Sequence, residues 1–448
     1  MRRTYCLLLL VGPMIVAANE PGDDRSLGAQ ADAAAVEAAS EETVAEPAPA
    51  KEVRPSRRTQ LTQWCHENCA TGRWGGVRDQ WEEKGVTLSL EYVSTLFVDA
   101  KGGANTHRAI EYTGNTHLTL SLDTGALGWW DGGEVFVYAE ERHGSGITER
   151  HVGDLFTLNN DEERDFVQVS EYWWRQEWFG GKVWSKVGKM DAAGDFQVVE
   201  YGLEFINSVF GVFPTVPVPT FPDTALGVVA AVEPADWLYF MAGVFDQQAF
   251  GGTSGFDTAF HDRADTVTMF ELALMPELEI EGRSYPGTYR IGGWYTSGDE
   301  DVFFNDLDGR LRPRTHRGNA GLYLAFDQLI YKENDDPGDD QGIGAFFQFG
   351  WVPSAYNEIS QYYGAGIQWI GALPDRNDDI LGLAMGHGHL SGRVQSLEAR
   401  YSETVVELFY KAQLTPWFSL MPDLQYIVNP GGDGRDAFVV GVRTQISF

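Results

Sequence analysis

The chain has 448 residues and a formal net charge of −32. Such an acidic surface excludes nucleic acid as a partner, because binding to phosphates needs basic side chains. Hydrophobic residues make up 43% of the chain and aromatic residues 13%, alongside 51 glycines. The length allows one large all-β domain or two to three ordinary domains, and the composition favours a transmembrane β-barrel over a soluble β protein without deciding between them.

The N-terminus has the pattern of a secretory signal peptide. Arg2 and Arg3 precede an apolar stretch, Cys6–Ala18, which is too short for a comfortable membrane span. We therefore predict a signal peptide over residues 1–18, cleaved after Ala18, and an exported mature protein. Because no later stretch approaches the length and hydropathy of a transmembrane helix, the mature chain can span a membrane only as a closed barrel.

Residues 19–70 are predicted to form a low-complexity tether in the periplasm. Ala, Glu, Asp and Pro dominate up to about Arg58, so this stretch cannot bury enough apolar surface to fold as a domain. Cys65 and Cys69 follow, and an exported location permits a disulfide between them. Zinc bound through Cys65, His66 and Cys69 would lack a fourth ligand nearby, so a disulfide or unpaired thiols are favoured over a metal. We expect no cofactor.

From Val86 to the last residue the sequence alternates as β-strands do. A short helix precedes this region, with Val77, Trp81 and Lys84 along it and Gly85 at its end. The strand-like segments number about sixteen and are mostly about ten residues long, which suits tilted membrane strands. They are predicted at Val86–Val98, Glu111–Leu122, Gly133–Arg142, Phe166–Phe179, Lys182–Met190, Ala225–Val232, Trp237–Asp246, Thr266–Ile280, Gly287–Ser297, Asn319–Ile330, Gly342–Val352, Gln361–Gly371, Ile380–Leu390, Glu403–Leu414, Trp417–Val428 and Ala437–Phe448.

Along these segments one face is apolar and the other carries polar and charged residues. In the last segment Phe438, Val440 and Val442 share one face, whereas Arg443 and Gln445 share the other. A soluble sandwich turns the apolar face inward, whereas a membrane barrel turns it towards lipid and lines a lumen with the polar face. The barrel is favoured because the segments outnumber the strands of a sandwich and tight turns alternate with long polar loops.

A long interval, Asp191–Thr224, follows the fifth segment. It is rich in aromatic residues, and its prolines at 214, 217, 219 and 222 rule out a central strand. The interval can be a surface crossover, or it can be a loop folded into the lumen, where its aromatic residues would contact a solute. We predict the inward fold.

No convincing catalytic motif is present, and we predict that the protein is not an enzyme. The chain lacks a Gly-x-Ser-x-Gly elbow, a His-Glu-x-x-His pair and a phosphate-binding loop. His387 and His389 are spaced to chelate a metal, but an exposed or interfacial position near a strand end is favoured. The acidic stretches Ser297–Gly309, Glu333–Asp340 and Asp375–Asp379 lack the spacing of a calcium loop and are interpreted as solvated loops.

The strand region opens with "TGRWGGVRDQWEEKGVTLSLEY" and closes with "LTPWFSLMPDLQYIVNPGG". These stretches resemble the opening and the closing of the carbohydrate-selective porins of the OprB type. Between them "KVGKMDAAGDF", Lys186–Phe196, resembles the family's segment after the fifth strand. The final Phe448 resembles the terminal aromatic residue that the barrel-assembly machinery reads. The similarity covers about Thr71–Phe448, and the tether and the two cysteines are not part of the shared pattern.

This resemblance implies an all-β fold for residues 71–448, a transmembrane antiparallel β-barrel of sixteen strands in the outer membrane of a Gram-negative-type bacterium. It implies passive diffusion of glucose and similar small sugars past an inward loop and charged residues at a constriction. The partners would be small sugars, outer-membrane lipid and lipopolysaccharide, and the assembly machinery through Phe448. A homo-oligomer is compatible with this interpretation.

Strand parity places a set of charged residues towards the lumen of such a barrel. Glu171, Arg175 and Lys189 are favoured for selectivity, because they lie on the strands that flank the long loop. Two alternatives stay open: a general or cation-preferring porin, which the net charge favours, and a secreted all-β carbohydrate-binding protein or glycosidase. The predicted lumen residues are Glu91, Glu140, Arg142, Glu171, Arg175, Lys189, Arg290, Glu407, Lys411 and Arg443.

Overall fold

A computed structural model of the chain describes residues 69–107, 109–162, 165–247, 265–302, 314–334, 336 and 339–448. The predicted signal peptide, nearly all of the predicted tether and Cys65 lie outside these residues. So do most of the acidic stretch at 297–309 and part of the one at 333–340. Cys69 is described and half-buried, so a disulfide to Cys65 stays a prediction.

In the described residues, sixteen antiparallel strands close into a barrel, because the first strand pairs with both the second and the last. The predicted fold class is therefore confirmed. The strands are β1 Val86–Lys101, β2 Ile110–Asp123, β3 Gly133–Gly144, β4 Phe166–Trp178, β5 Val183–Met190, β6 Ala225–Ala235, β7 Leu238–Asp246, β8 Thr266–Leu274 continued by Glu277–Ile280, β9 Arg283–Val302, β10 Arg314–Lys332, β11 Gly342–Trp351, β12 Ile359–Ile370, β13 Ile380–Leu390, β14 Ser402–Thr415, β15 Phe418–Val428 and β16 Ala437–Ser447.

Strand β8 is interrupted at Pro276, although the sequence predicted one continuous strand there. Both of its segments pair with β9, and Pro276 lies between them. Proline has no N–H to donate, so the ladder loses a donor at this residue, although the carbonyl of Pro276 still accepts the N–H of Gly287 at 3.0 Å. Strands β9 and β10 are longer than predicted, because polar residues beyond the apolar pattern continue the ladder through the pairs Asp299–Arg317 and Asp301–Thr315.

The helices are short. The predicted N-terminal helix is present as α1 Val77–Glu83, and Gly85 follows it with a φ of +80° that favours glycine. The sequence analysis missed α2 Gly392–Glu398, whose first turn is capped by the side chain of Ser391. Single turns of 3-10 or π-helix lie at Trp74–Gly76, Thr148–Val152, Phe179–Gly181, Glu200–Gly202, Ser208–Phe210 and Pro430–Gly432. Among the described residues, no helix has the length and hydropathy needed to cross a membrane.

The outer wall of the barrel is apolar and the inner wall is mixed. Leu96, Leu322 and Leu408 are exposed on the outside, whereas Thr95, Tyr323 and Glu407, each next to one of them in sequence, are buried. A soluble sandwich would bury the apolar face, so this inside-out pattern excludes that alternative for the described strands. The orientation also explains why charged residues recur in the middle of strands.

Two ends of the barrel can be distinguished by their connections. The end where β1 begins and β16 ends, here called the terminal rim, carries tight links such as Phe179–Lys182 and Thr415–Phe418. The opposite rim carries the long connections 145–165 and 191–224. Side chains of both connections belong to the buried apolar cluster, so the interior of the barrel is partly filled.

Candidate functional site

The connection 191–224, here called the long loop, folds into the barrel as the sequence predicted. Phe196, Ile206, Phe210 and Phe213 are fully buried. The rings of Phe205 and Phe409 on β14 lie 4.9 Å apart, and those of Phe213 and Tyr323 on β10 lie 5.9 Å apart. Burial of these aromatic side chains against the wall drives the loop inward, since outside the barrel they would face water.

Buried carboxylates of the wall hold the backbone of the long loop. Glu171 accepts the N–H of Asp191 at 3.1 Å, and Glu271 accepts that of Gln197 at 2.8 Å. Further along, Asp327 accepts the N–H of Tyr201 at 3.1 Å, and Glu407 accepts those of residues 206 and 207 at 2.6 and 2.9 Å. A loop without a strand partner leaves N–H groups unpaired, and carboxylates bind such donors strongly. These acids therefore act as anchors of the loop.

A second connection, 145–165, also enters the barrel, although the sequence analysis interpreted it as a long polar loop. Ile147, Phe156 and Leu158 are buried in the apolar cluster. Glu403 on β14 accepts the backbone N–H groups of residues 155, 156 and 431 at 2.8, 3.1 and 2.6 Å. The run "DLFTL" within an otherwise polar loop is the signal that could have indicated this burial.

Arg443 on β16 also binds the connection 145–165. Its guanidinium donates to the amide oxygens of Asn159 and Asn160 at 2.7 and 2.6 Å and pairs with Asp161 at 3.0 Å. Burial by itself raises the pKa of Asp161, but Arg443 and Arg142 outweigh it and hold the pKa of this loop carboxyl below its ordinary value. Asp161 is therefore an ionised partner of Arg443.

A cavity of about 340 Å³ remains between the two inward loops and the wall formed by β1–β3 and β14–β16. Ionic side chains line it in pairs: Arg443 with Asp161 at 3.0 Å, and Lys411 with Glu204 of the long loop at 2.7 Å. Arg142 also lines the cavity and pairs at 2.9 Å with Glu140, which lies behind it. The positive charges around the cavity are thus each balanced by a carboxylate.

The same cavity presents ring faces and neutral polar groups. Tyr138 and Phe221 meet edge to face with centroids 5.1 Å apart, and His117 stacks on Tyr138 at 5.8 Å. Hydroxyl and amide groups complete the surface, among them Thr119, Asn160, Ser208, Thr220, Ser419 and Gln445. A solute that offers both apolar ring surface and hydrogen-bonding groups of both kinds fits such a lining.

The predicted lumen residues divide between the cavity and the filled part of the barrel. Arg142, Lys411 and Arg443 line the cavity, and Glu140 supports the first of these. Glu91 is buried behind Gln445, to which it is hydrogen bonded. The structure brings these residues together, although they come from strands at opposite ends of the sequence.

The remaining predicted residues lie elsewhere, including the ones that the sequence analysis favoured. Glu171 and Glu407 anchor the long loop. Arg290 pairs with Asp327 at 3.0 Å on the far side of the barrel. Arg175 pairs with Glu177 at 2.9 Å and covers the ring of Trp184, while Lys189 is fully buried in β5. None of these lines the cavity, because strand parity indicates only the inner face and not the position of the loops.

Several cavity residues were missed because they lie on the loops or are uncharged. Asp161, Glu204, Phe205 and Phe221 come from the inward connections, where strand parity does not apply. Within the described part of the chain, no group of three or more histidine, cysteine or acidic side chains is arranged to hold a metal. His387 is half-buried and His389 is exposed, and they bond to Thr404 and Gln395, respectively.

Comparison with known proteins finds relatives for most of the chain. The sequence pattern described as "Carbohydrate-selective porin, OprB family" matches residues 107–448. The chain belongs to the OprB family of carbohydrate-selective porins. Porin B of Pseudomonas aeruginosa is 23% identical over 420 residues, which is 84% of this chain and 90% of that protein. The putative porin QuiX of Acinetobacter baylyi is 22% identical over 426 residues, or 84% and 92% of the two chains.

A solved structure shows the same fold. The high-pH structure of Pseudomonas putida OprB superposes with a TM-score of 0.77 at 23% identity, covering 86% of this chain and 99% of that one. This OprB-family chain is accordingly an outer-membrane porin for sugars, and its homologues are channels rather than enzymes. Residues 1–106, which include strand β1, precede the matched residues.

Proposed function

We propose that this porin passes glucose and sugars of similar size by passive diffusion through the cavity between the inward loops and β1–β3 and β14–β16. The observation that carries the proposal is the lining of this cavity, in which charged side chains occur as ion pairs beside aromatic rings. Such a surface offers hydrogen-bond donors and acceptors without net attraction for either sign of ion. Contacts of this kind are strong enough to admit a sugar and weak enough to release it.

Arg142, Lys411 and Arg443 are proposed as the charged residues that a sugar passes. Glu204 and Asp161 contact two of them directly at the cavity surface, so a sugar hydroxyl beside such a pair can accept from the cation and donate to the carboxylate. Phe221, which lines the cavity and meets the ring of Tyr138 edge to face, offers apolar ring surface to the C–H groups of a pyranose. Glu91, Glu140, Glu171, Arg175, Lys189, Arg290 and Glu407 are proposed to support this lining or to position the loops.

A cation-preferring porin is the second candidate, and the net charge of −32 favours it. Acidic residues concentrated in exposed loops would raise the local concentration of cations at the channel mouth. Inside the cavity, however, the ion pairs carry no net charge, so they oppose a strong preference for cations over anions there. Ion selectivity measured against sugar permeation therefore separates the two candidates.

The two rims of the barrel are expected to face different compartments of the cell. We propose that the terminal rim faces the periplasm, where the tether of residues 19–70 would extend after removal of a signal peptide at residues 1–18. Phe448 would be read by the barrel-assembly machinery, and lipopolysaccharide would surround the opposite rim. A homo-oligomeric assembly is compatible with this arrangement. Protease protection of the tether in intact cells, compared with cells whose outer membrane is permeabilised, tests the orientation.

Liposome swelling with the purified, refolded protein tests the function. Glucose, longer malto-oligosaccharides and a zwitterionic amino acid of similar size would be compared. We expect glucose to enter clearly faster than the amino acid, because only the sugar matches the lining in both hydrogen bonding and ring surface. Rates that depend on solute size alone would indicate a general porin without selectivity for sugars. Absence of swelling with folded protein would contradict the proposal that the protein forms a channel.

A further inference from the structure

Helix α1 exposes an apolar stripe at the terminal rim. Val77 and Trp81 are four residues apart and therefore share one face of the helix. The ring of Trp74 meets that of Trp81 edge to face, with centroids 6.2 Å apart. These three side chains, here called the rim stripe, are exposed to 40%, 41% and 42% in chain order. An apolar group of this kind in contact with water needs a partner.

The rim stripe is held in a fixed position at the seam where the barrel closes. Arg78 donates to the carbonyl of Phe448 at 2.7 Å, and the N–H of Ala70 donates to that of Ser447 at 2.8 Å. The guanidinium of Arg78 also lies 4.7 Å from the centre of the Trp74 ring. At the other end of the helix, Gly85 accepts the N–H of Asp123 at 2.8 Å. The helix is therefore fixed to the rim of the barrel and is not a loose leader.

The rim stripe continues a belt of aromatic side chains along the same rim. The connections next to it carry large exposed rings, including a stacked pair of tryptophans at 129 and 130. In membrane barrels, aromatic residues at this level mark the layer of lipid headgroups. The exposed members of the belt on neighbouring connections are Trp129, Trp130, Trp178, Phe179 and Trp237.

The charges around α1 indicate which kind of leaflet it fits. Arg73, Arg78 and Lys84 are matched by acids at positions 79, 82 and 83, and Arg73 pairs with Asp79 at 2.6 Å. A basic helix would select anionic lipids, whereas a charge-balanced helix with tryptophans binds through its ring surface. The surface therefore fits a phospholipid leaflet irrespective of headgroup charge.

We propose that the rim stripe inserts into the headgroup layer of the phospholipid leaflet at the terminal rim, and that α1 anchors the seam between β1 and β16 to that leaflet. The stripe lies at the same rim as the aromatic belt, is attached to the last residues of the barrel and belongs to a charge-balanced helix, as an anchor in a phospholipid leaflet requires. The anchor is independent of the path that a sugar takes, so its failure would leave the proposed function untouched.

Site-specific fluorescence in vesicles tests the anchor. The full mature chain, with Cys65→Ser and Cys69→Ser, would carry one environment-sensitive label at Val77→Cys or at the matched control Glu83→Cys. Residue 83 is exposed but lies on another side of the helix. In phosphatidylcholine vesicles with nitroxide-labelled lipid, we expect roughly threefold stronger quenching at residue 77 than at residue 83. The difference should persist when a third of the lipid is phosphatidylglycerol.

Two results would overturn the proposal. Equal quenching by lipid at both positions would show that the stripe does not enter the leaflet. Strong quenching of the label at residue 77 by aqueous iodide, or quenching by lipid only when the lipid is anionic, would contradict insertion through ring surface. Glucose-driven swelling by each labelled protein verifies that the barrel is folded, so a folding defect cannot be mistaken for a negative result.

Discussion

The interior of this porin has two regions that use buried charge differently. On the side of β7–β13, acids such as Glu271 and Asp327 accept backbone N–H groups of the long loop. On the side of β1–β3 and β14–β16, Lys411 and Arg443 form direct ion pairs with carboxylates of the loops at the surface of a cavity. The first arrangement fixes a loop in place, and the second leaves a polar surface for a solute. A charge in the middle of a strand therefore does not by itself indicate contact with a solute.

Among substitutions in these two regions, Glu407→Ala is expected to have the largest effect on permeation. Loss of the carboxylate leaves the N–H groups of residues 206 and 207 without a hydrogen-bond acceptor, which costs about 1–3 kcal/mol for each buried donor. The long loop should loosen, and the size limit for sugars should rise. Swelling rates of liposomes with maltotriose relative to glucose measure this change.

Leu408→Ala is the matched control, because that neighbouring side chain is exposed on the outer wall, on the face opposite to the loop. It should leave the ratio of the two swelling rates unchanged. A wild-type ratio in the Glu407→Ala protein would contradict the role of this acid as an anchor.

Arg443→Ala should have the next largest effect, since it releases the connection 145–165 and leaves Asp161 without its cation. Charge-assisted hydrogen bonds contribute about 1.5–3 kcal/mol each. We expect a larger single-channel conductance and a shift of ion selectivity towards cations. Planar-bilayer recordings with a KCl gradient report both quantities.

Arg443→Lys keeps the charge but loses the guanidinium, one nitrogen of which donates to both Asn159 and Asn160. It should restore the ion selectivity while leaving the conductance raised. If the lysine variant matched the alanine variant in both measurements, charge balance at Asp161 would not be the cause of the selectivity.

A smaller effect is expected from the ion pair of Lys411 and Glu204, which lines the cavity. Lys411→Met should favour cations and Glu204→Gln should favour anions, each by roughly twofold to threefold in permeability ratio, because each change leaves one uncompensated charge at the cavity surface. The double variant should return close to the wild-type ratio. Reversal potentials of the four proteins provide the measurement, and wild-type ratios in both single variants with unchanged glucose entry would show that the pair does not line the path.

The smallest effect on permeation is expected from Asp191→Asn, which instead changes the dependence of stability on pH. Burial raises the pKa of this loop carboxyl from its usual 3.8 to about 7, only partly offset by a hydrogen bond with Thr220. Between these values the unfolded chain has lost the proton that the native state keeps, so the stability falls as pH rises through this window and is level above it.

The variant should therefore lose less thermal stability than the wild-type protein between pH 5 and pH 8. Each unit of pKa difference corresponds to about 1.4 kcal/mol, which sets the order of magnitude. Melting temperatures in detergent at the two pH values provide the measurement, with Asp223→Asn, an exposed residue of the same loop, as the control. Identical slopes in all three proteins would disprove the assignment.

Much of the barrel could be predicted from local patterns in the sequence. The predicted segment Ile380–Leu390 agrees with β13 at both ends, and the short helix before Gly85 is α1. The break at Pro276 and the extension of β9 and β10 past the apolar pattern were missed, because pairing there depends on the neighbouring strand. Helix α2 was missed because its single cap, Ser391, stands before a segment too short for a clear period.

The sequence by itself determined the strand series, the apolar outer face and the inward fold of a loop rich in aromatic residues and proline. These features follow from alternation and hydropathy, which are local properties of the chain. Tertiary structure alone decided which inward charges became anchors and which line the cavity. Strand parity directs both Glu407 and Lys411 towards the interior of the barrel. The path of the long loop then decides that Glu407 accepts a backbone N–H and that Lys411 pairs with the carboxylate of Glu204.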